Sequence, residues 1–376
     1  MTNGDQIMKN SFGSSITVTV FGESHGEYIG AVIDGLAPGI KIDDAYIRAK
    51  LAQRRPSGGI STARVEADEY KLVSGVFEGF TTGTPITALI PNTNVKSADY
   101  KEIARIARPG HADYAAECKY HGYQDFRGGG HFSGRITAAI VLAGAILSSA
   151  LLSKGIRIGT HISTMRGISD RPFENYDEDI AALASAYFPT LSVESGDEMR
   201  RIIEAASADG DSVGGVLETA IVGLPQGLGE PWFDSAEGVL SHALFSIPGV
   251  KGVEFGAGFG ICDMHGSEAN DPIEARDGKV YTLTNNNGGI NGGITNGMPV
   301  IFRCAIKPTP SIYKEQKSID LKTLENKLLK IEGRHDPAII HRARAVVDAT
   351  AAIAIADMLA QRYGTDYLAS GDKKGV

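Results

Sequence analysis

Two apolar, alanine-rich segments constrain the fold of this chain more than any other feature. Residues 136–152 form an apolar run of about 17 residues that also contains alanines, Thr137 and Gly144. A membrane-spanning helix needs about 20 predominantly apolar residues, so this run predicts a buried core helix. The second segment, AVVDATAAIAIADML within 337–362, predicts a helix whose small side chains suit close packing in a helical layer.

The length and charge of the chain limit its organisation and its ligands. It has 376 residues and a formal net charge of −8 at pH 7, and no proline-rich, Gly/Ser-rich or charged linker divides it. We therefore expect a single catalytic domain over 15–368, flanked by flexible segments at 1–14 and 369–376. The acidic balance argues against a nucleic-acid partner, so an anionic ligand requires a local cluster of cations.

The cysteines bear on the compartment of the protein. Cys118, Cys262 and Cys304 are odd in number, far apart and without metal-ligand spacing, which indicates free thiols in a reducing compartment. The N-terminal residues are polar and contain no apolar stretch typical of a signal peptide. We expect a cytoplasmic protein that binds neither a metal nor a membrane.

Composition and periodicity predict alternating strands and helices. Strands are predicted at 15–21, 28–33, 84–90, 156–162, 215–222, 279–284 and 298–306. Helices are predicted at 44–53, 113–120, 136–153, 197–206, 321–331 and 337–362, the last with Asp336 as its N-cap and Pro337 in its first position. GTPITALI and GMPVIFRCAI are similar Gly-x-Pro turns leading into strands, a pattern that hints at two related halves.

The segment 108–135 concentrates the residues that bind anions or carry protons. A triple glycine, 128–130, lets backbone approach a ligand closely. Around it stand side chains suited to anion binding and proton transfer, namely Arg108, His111, Lys119, His121, Arg127, His131 and Arg135. A solvated cationic face would not need the glycines, so the segment predicts a ligand site.

The sequence GESHG at 22–26 allows three interpretations. Gly-x-Ser-x-Gly is the nucleophile elbow of serine hydrolases, which requires a strand, a sharp turn and then a helix. The following EYIGAVID predicts a second strand, so a plain glycine-rich hairpin turn is another interpretation. In the third, Ser24 and His25 are reactive groups in a tight loop, and His25 suits general acid catalysis near neutral pH.

Single histidines and arginines are more often structural than functional, so each needs its context. His111 follows Arg-Pro-Gly directly, and a turn would present it beside a cation, whereas we expect His121 to be structural. In RRP at 54–56, Arg55 suits a solvated helix end. Arg54, ahead of a proline-restricted turn, suits a bidentate grip on phosphate or carboxylate.

Three further segments have both a structural and a functional interpretation. TNNNGGINGGITNGMP forms turns or offers backbone N–H groups that cradle a phosphate or a flat ring. KPTPS at 307–311 combines a cation with two hydroxyls, as a phosphate clasp would. In GRHDP at 333–337, Asp336 either caps a helix or takes part in the chemistry. No Walker A or Gly-x-Gly-x-x-Gly pattern occurs, so ATPase and ordinary dinucleotide-binding folds are not expected.

Taken together, these segments resemble the chorismate synthase family across nearly the whole chain. The motifs that carry the resemblance are GESHG, RRP, SGVFEGFTTGTPI, RPGHADY with its GGG, GDSVGG, VKGVEFGAGFG with GSEAND, the NGG and NGM turns, KPT and GRHDP. The resemblance implies an α+β fold, a β-α-β sandwich with a helical layer between antiparallel sheets in a single domain. It also implies a homotetramer.

The resemblance implies a carbon–oxygen lyase that acts on phosphate. Such an enzyme eliminates phosphate and a ring proton from 5-enolpyruvylshikimate 3-phosphate to give chorismate, in the shikimate pathway of aromatic amino acid biosynthesis. It requires reduced FMN (FMNH2) although there is no net redox change. Nothing in the chain resembles an appended flavin reductase, so an external flavin reductant is expected.

The resemblance also implies roles for individual residues. His25 would act on the substrate phosphate, His111 on the reduced flavin, and Asp336 through Ser24 in proton removal. Substrate contacts would come from Arg54, Arg127, Ser133 and Arg135. Cofactor contacts would come from His131, Phe132, Ser133, Asn286, Asn287, Gly292, Lys307, Pro308, Thr309, Pro310, Ser311 and Arg334.

The chain departs from the family pattern beside the triple glycine. GGGHFSGRIT stands where the family commonly has GGGRSSARET, so His131, Phe132 and Ile136 replace an arginine, a serine and a glutamate. We expect an active enzyme in which the residues around the bound anions differ from those common in the family. A homologue that binds a flavin or a phosphorylated metabolite without catalysis is the alternative.

Overall fold

The computed structural model describes residues 9–56, 60, 61, 67–93, 105–331, 333 and 335–369. Its strands are β1 (Ser11–Phe12), β2 (Thr17–Gly22), β3 (Tyr28–Asp34), β4 (Lys71–Ser74), β5 (Val76–Phe77), β6 (Phe80–Thr81), β7 (Ile86–Pro91), β8 (Arg157–Met165), β9 (Ile168–Ser169), β10 (Gly215–Val222), β11 (Val250–Phe255), β12 (Ile273–Arg276), β13 (Lys279–Thr282), β14 (Ile290–Asn291), β15 (Ile294–Thr295), β16 (Val300–Ile306), β17 (Gln316–Ile319) and β18 (Asn326–Leu329). Its α-helices are α1 (Asp44–Arg54), α2 (Asp113–Tyr120), α3 (Thr137–Leu152), α4 (Tyr176–Ser185), α5 (Val193–Ala208), α6 (Ala236–Leu244), α7 (Gly266–Ala269) and α8 (Ile340–Tyr363). Short 3-10 helices cover Arg127–Phe132, Gly134–Ile136, Gly258–Asp263 and Thr365–Leu368.

Two five-stranded sheets form the outer layers of the molecule. The first has the order β1-β2-β3-β7-β4 and the second the order β11-β16-β10-β8-β9, and the paired strands in both are antiparallel. Along β16, buried and half-buried residues alternate, as expected for a strand with one face on a core. The two similar Gly-x-Pro segments lead into β7 and β16, one in each sheet.

The two alanine-rich helices, α3 and α8, lie between the sheets. Helix α3 packs on β3 and β7 of the first sheet, α8 packs on β8 and β10 of the second, and the two helices contact each other. They approach closely: a Cβ on Gly144 would lie 2.4 Å from Cβ of Ala349. The arrangement confirms the expected β-α-β sandwich.

The apolar run that defines α3 is enclosed by this packing. In the described part of the chain, one helix, Gly134–Leu152, is long and apolar enough to cross a membrane by length and composition, and 78% of it is buried inside the protein. Its burial on all sides, by β strands and by α8, confirms the predicted core helix.

Two predictions at the C-terminal third are wrong. The region 321–331 contains strand β18, which pairs with β17, because Asp320 accepts hydrogen bonds from the backbone N–H groups of Lys322 and Thr323 and forms a turn between the strands. Helix α8 begins at Ile340 rather than Pro337. The carboxylate of Asp336 pairs with Arg342 and does not cap the helix.

The ordered N-terminal region starts earlier than expected. Ser11 and Phe12 form β1 on the edge of the first sheet, so strand structure begins inside the segment 1–14, whose first eight residues lie outside the described residues. The carboxylate of Asp357 then accepts hydrogen bonds from the backbone N–H groups of Ser14, Ser15 and Ile16, at 2.7–3.0 Å. This contact ties the chain ahead of β2 to helix α8.

A buried charged cluster lies on the second sheet. The ring of His161 is fully buried, with Nδ1 2.8 Å from Asp170 and Nε2 3.3 Å from Glu218. Burial opposes protonation, but the hydrogen bonds to the two carboxylates outweigh it and raise the pKa of His161 above its ordinary value. The free energy of unfolding therefore depends on pH through this cluster.

Candidate active site

One large cavity, with a volume of about 1070 Å³, opens between the helical layer and the loops at one end of the sheets. Its size suits a bound metabolite together with a cofactor. Among the described residues that line it, Asp336 is the single carboxylate, whereas the lysines and arginines are Lys9, Arg54, Arg108, Arg135, Lys251, Lys307 and Arg342. An acidic chain thus contains a strongly cationic cavity, as expected for an anion-binding site.

The triple glycine, called the glycine wall below, packs against two histidines, and its first residue, Gly128, lines the cavity. Gly128, Gly129 and Gly130 have φ values of 58°, 86° and 54°, a left-handed region that favours glycine. A Cβ on Gly128 would lie 2.2 Å from Cε1 of His25, and one on Gly129 would lie 3.3 Å from Cε1 of His111. The glycines are required because both imidazoles contact this backbone.

The GESHG segment is a hairpin loop between β2 and β3. The serine hydrolase interpretation is therefore wrong, since its elbow needs a helix after the turn. Ser24 and His25 are both buried. The Ser24 N–H donates to the carbonyl of Gly130 at 3.1 Å, and the Asn92 amide donates to two carbonyls of the loop at 3.0 and 2.8 Å. These bonds hold the loop against the glycine wall.

His111 belongs to a charged triad at the start of α2. Its Nδ1 lies 2.9 Å from Oδ1 of Asp113. The same carboxylate accepts from Nη2 of Arg108 at Oδ1, at 2.7 Å, and from Nε of Arg108 at Oδ2, at 2.8 Å. Burial opposes the charge on Asp113, but the bonds from Arg108 and His111 outweigh it and lower the pKa of this carboxyl. Nε2 of His111 faces Gly129. His121 ends α2 as an exposed C-cap, which confirms its structural interpretation.

Arg54 and Arg135 share one counter-ion, Asp68. Oδ2 of Asp68 accepts from Nη2 of Arg54 at 2.8 Å, and Oδ1 accepts from Nη1 of Arg135. Nε of Arg135 also donates to the Asn92 side chain at 3.0 Å. Arg55 ends α1 as its C-cap, as expected, although it is half-buried with Nε 3.8 Å from Asp68 rather than fully solvated.

The residues that depart from the family pattern line the cavity. Nδ1 of His131 lies 2.8 Å from the carbonyl of Gly22, so this nitrogen carries a proton and donates. Phe132 packs edge-on against Tyr120, with ring centroids 6.0 Å apart. Ser133 accepts a 3.3 Å hydrogen bond from the backbone N–H of Arg135 and begins a short 3-10 helix.

The KPTPS segment follows β16 and lines the cavity. Nζ of Lys307 donates to the carbonyl of Gly110, and burial, followed by the nearby Lys251, lowers the pKa of Lys307. Oγ1 of Thr309 is buried without a hydrogen-bond partner among the described residues. A polar ligand in the cavity would satisfy it.

The end of the cavity near α8 holds the acidic residue. Asp336 pairs with Arg342, and both are largely buried. His335 packs against the ring of Tyr313 with centroids 5.2 Å apart, and burial lowers the pKa of His335. Asp336 is thus placed for chemistry in the cavity, next to a cation.

Most of the predicted site residues meet at this cavity, and a few do not. The lining includes Arg54, His111, His131, Phe132, Ser133, Arg135, Lys307, Pro308, Thr309, Pro310, Ser311 and Asp336. Ser24 and His25 are absent from the lining and contact Gly128, which does line it. Arg127 pairs through two hydrogen bonds with Asp125 and does not line the cavity. Asn286 and Asn287 bind Asp271 instead, and Gly292 forms a turn outside the lining. Arg334 lies outside the described residues.

The sequence did not indicate several charged residues of the site: Lys9 and Lys251 in the lining, together with Asp68, Asp113 and Arg342. Asp113 stands two positions after His111, so the acid next to a predicted catalytic histidine was a usable local signal. Asp68 follows Arg54 by 14 residues, and the start of α8 lies between Asp336 and Arg342. No local pattern pairs either set. Among the described residues, no group of three or more His, Cys, Asp or Glu could hold a metal ion.

The fold and the cavity define an α+β protein with a cavity lined by cations and two histidines packed against a glycine wall. The profile of the family "Chorismate synthase" matches residues 16–360. The chain belongs to the chorismate synthase family.

Relatives and a solved structure agree with this assignment. The chain is 46% identical over 350 residues to a chorismate synthase of Thermococcus gammatolerans, which covers 93% of this chain and 97% of the relative. It is 44% identical over 353 residues to one of Dehalococcoides mccartyi, covering 93% and 96%. A crystal structure of chorismate synthase superposes with a TM-score of 0.73 at 27% identity and covers 94% of each chain.

Proposed function

We propose that this protein converts 5-enolpyruvylshikimate 3-phosphate into chorismate by eliminating phosphate and a ring proton, as a carbon–oxygen lyase. The observation that carries the proposal is the cationic cavity, in which seven lysine and arginine residues and one carboxylate line the wall among the described residues. A doubly charged phosphate and two carboxylates on the substrate need such a lining. The family membership supports the same reaction.

We further propose reduced FMN as the cofactor. The residues present fit it. Thr309 offers a buried hydroxyl without a partner in the described part of the chain, and Lys307 and Ser311 line the same cavity. The cavity of about 1070 Å³ has room for a ring system beside a substrate. His131 and Phe132 would complete the cofactor contacts. When bound, reduced FMN supplies transient electron density that helps phosphate leave without net redox change.

His25 is the proposed acid for the departing phosphate. Its imidazole is buried against Gly128, and an imidazole holds or releases a proton near neutral pH. A proton delivered to the phosphate oxygen as the carbon–oxygen bond breaks lowers the charge on the leaving group. The loop bonds of Ser24 and Asn92 fix the position from which His25 acts.

His111 is the proposed proton-holding group on the cofactor side. Nδ1 of His111 lies 3.1 Å from Nη2 of Arg108 and 2.9 Å from Oδ1 of Asp113. Because an ionised carboxylate only accepts hydrogen bonds, we assign the Nδ1 proton of His111 to the shorter contact, with Asp113. That bond leaves Nε2, next to Gly129, as the atom that exchanges a proton with a ligand. Asp336, acting through Ser24, remains the proposed route for removal of the ring proton.

The test is anaerobic conversion of the substrate with chemically reduced FMN, with chorismate and free phosphate measured in parallel. We expect His25→Ala and His111→Ala to lower turnover by about 10²- to 10⁴-fold while folding is retained. His121→Ala is the matched control, because this histidine is exposed at the end of α2 and should keep normal turnover. Ligand binding without any chorismate from the folded wild-type protein would favour a non-catalytic homologue.

We also propose a cytoplasmic homotetramer supplied with reduced flavin by a separate reductant. Three aromatic residues support association between copies, since Trp232, Phe233 and Phe259 are 81%, 98% and 83% exposed, and such apolar surface is typical of interfaces. Light scattering on the purified protein measures the mass, and a monomer would contradict the tetramer. Turnover with NADPH and oxidised FMN alone would contradict the external reductant.

A further inference from the structure

Asp68, the counter-ion shared by Arg54 and Arg135, has no role in the proposed reaction as stated above. Its side chain is completely buried, and its two oxygens are divided between Arg54 and Arg135. Both arginines line the cavity, whereas Asp68 does not. The carboxylate therefore contacts the guanidinium groups of two residues that both line the cavity.

The charges explain why a carboxylate stands there. Arg54 and Arg135 are only 9% and 8% exposed, and two buried guanidinium groups this close repel each other unless an anion lies between them. Burial opposes ionisation of Asp68, but the charges of Arg54 and Arg135 outweigh it and lower the pKa of its carboxyl. Asp68 therefore offsets part of the positive charge of the arginines around it, including Arg55, whose Nε lies 3.8 Å from Oδ2 of Asp68.

Arg54 depends on Asp68 more than Arg135 does. The side chain of Arg135 also donates to Asn92 and to the carbonyl of Pro91. Among the described residues, Asp68 is the single hydrogen-bond partner of the Arg54 side chain, and Nε of Arg54 is buried without any partner. A buried charged donor facing a cavity calls for an anionic ligand.

The backbone of Asp68 supports a specific placement. Its φ of 49° lies in the left-handed region, which non-glycine residues rarely adopt and which costs free energy. Such a conformation persists where the surrounding contacts fix it. Here the contacts are those of the carboxylate with the two arginines.

We propose that Asp68 is a positioning residue that holds Arg54 and Arg135 side by side as one clamp for a single dianionic group. The identity of that group as a phosphate of the substrate or cofactor rests on the proposed function. The clamp itself rests on the geometry, since two planar donors held by one carboxylate present a fixed pair of donor edges to an anion.

The test variant is Asp68→Asn, which keeps the size of the side chain but has one acceptor oxygen instead of two. We expect the Kd for inorganic phosphate, measured by calorimetry on folded protein, to rise about 10- to 100-fold, as for loss of one charge-assisted contact. KM for the substrate should rise by a similar factor, with kcat changed much less.

A matched control separates positioning from general destabilisation. Asp170→Asn removes another completely buried carboxylate, paired with His161 and absent from the cavity lining, so it should lower stability without changing the phosphate Kd. The double variant Asp68→Asn/Arg54→Gln tests the route of action. If Asp68 acts through Arg54, the two effects on Kd do not add.

The outcomes are distinct. Unchanged or tighter phosphate binding by folded Asp68→Asn protein would overturn the proposal. Asp68 would then not position the arginines, and its negative charge would at most weaken the binding of an anion. Additive effects in the double variant would also overturn it. Wild-type protein that binds phosphate but makes no chorismate would contradict the proposed function and would leave the binding comparison at Asp68 intact.

Discussion

Replacing Gly128 with alanine tests the central feature of the site, the glycine wall against which His25 is packed. The added Cβ would lie 2.2 Å from Cε1 and 2.3 Å from Nδ1 of His25. Carbon atoms in contact are ordinarily about 3.5–4.0 Å apart, so the imidazole must move by more than about 1 Å. A misplacement of that size at a reacting group costs about 10²-fold in rate, or about 2.7 kcal/mol in the barrier.

The backbone gives a second, separable cost. Gly128 has a φ of 58°, and alanine in the left-handed region costs roughly 1–2 kcal/mol. Gly167, in the turn between β8 and β9, has a φ of 88° with nothing within 4 Å of an added Cβ. Gly167→Ala therefore carries the conformational cost without the collision and is the matched control.

The assay combines thermal unfolding with anaerobic turnover on reduced FMN. Both variants should lose stability, and only Gly128→Ala should lose about 10²-fold in kcat/KM. If folded Gly128→Ala protein turns over as fast as Gly167→Ala protein, then contact with the glycine wall does not position His25, and the proposed role of that wall is refuted.

Three further predictions concern the body of the fold. His161→Gln should lower the free energy of unfolding most below about pH 6.5, and the difference from wild type should vanish as pH rises through the raised folded-state pKa of His161. Urea unfolding across pH measures this difference, and a difference that grows with pH would contradict the prediction. Burial raises the pKa of Cys304 to about 12. Alkylation of the native protein should therefore modify the exposed Cys118 and Cys262 and reach Cys304 only after denaturation. Rapid labelling of Cys304 in the native protein would contradict this prediction. Gly144→Val should cost about 1–3 kcal/mol by overpacking against Ala349, and Ala349→Gly should restore part of the stability; no loss on chemical unfolding would show that α3 and α8 are not in close contact.

Local patterns predicted much of the secondary structure because the interactions that decide it are local. Strand β10 and helix α2 have the predicted bounds, and α3 differs by one residue at each end, since periodicity and composition suffice there. The failures lie where a side chain took a partner that the local pattern did not predict. Asp336 pairs with Arg342 across the start of α8, and the capping position predicted for it is unused.

The candidate site divides in the same way. The sequence indicated the cations and histidines around the triple glycine, together with the KPTPS segment. Anion-binding and proton-carrying side chains close to a glycine run are typical of a ligand site. It did not indicate that Asp68 joins Arg54 to Arg135, nor that Arg127 is taken up by Asp125. Which cations face a ligand and which are neutralised depends on partners brought together by folding.

The two alanine-rich segments show the boundary between sequence and tertiary structure. The composition of the first segment by itself predicted a buried helix, because apolar side chains without a polar face are stable only away from water. The small side chains of the second segment predicted close packing in a helical layer. Only the tertiary structure decided what covers them. Gly144 lies against Ala349, and each helix packs on a different sheet. That arrangement comes from shape complementarity between segments about 200 residues apart, which no local pattern encodes.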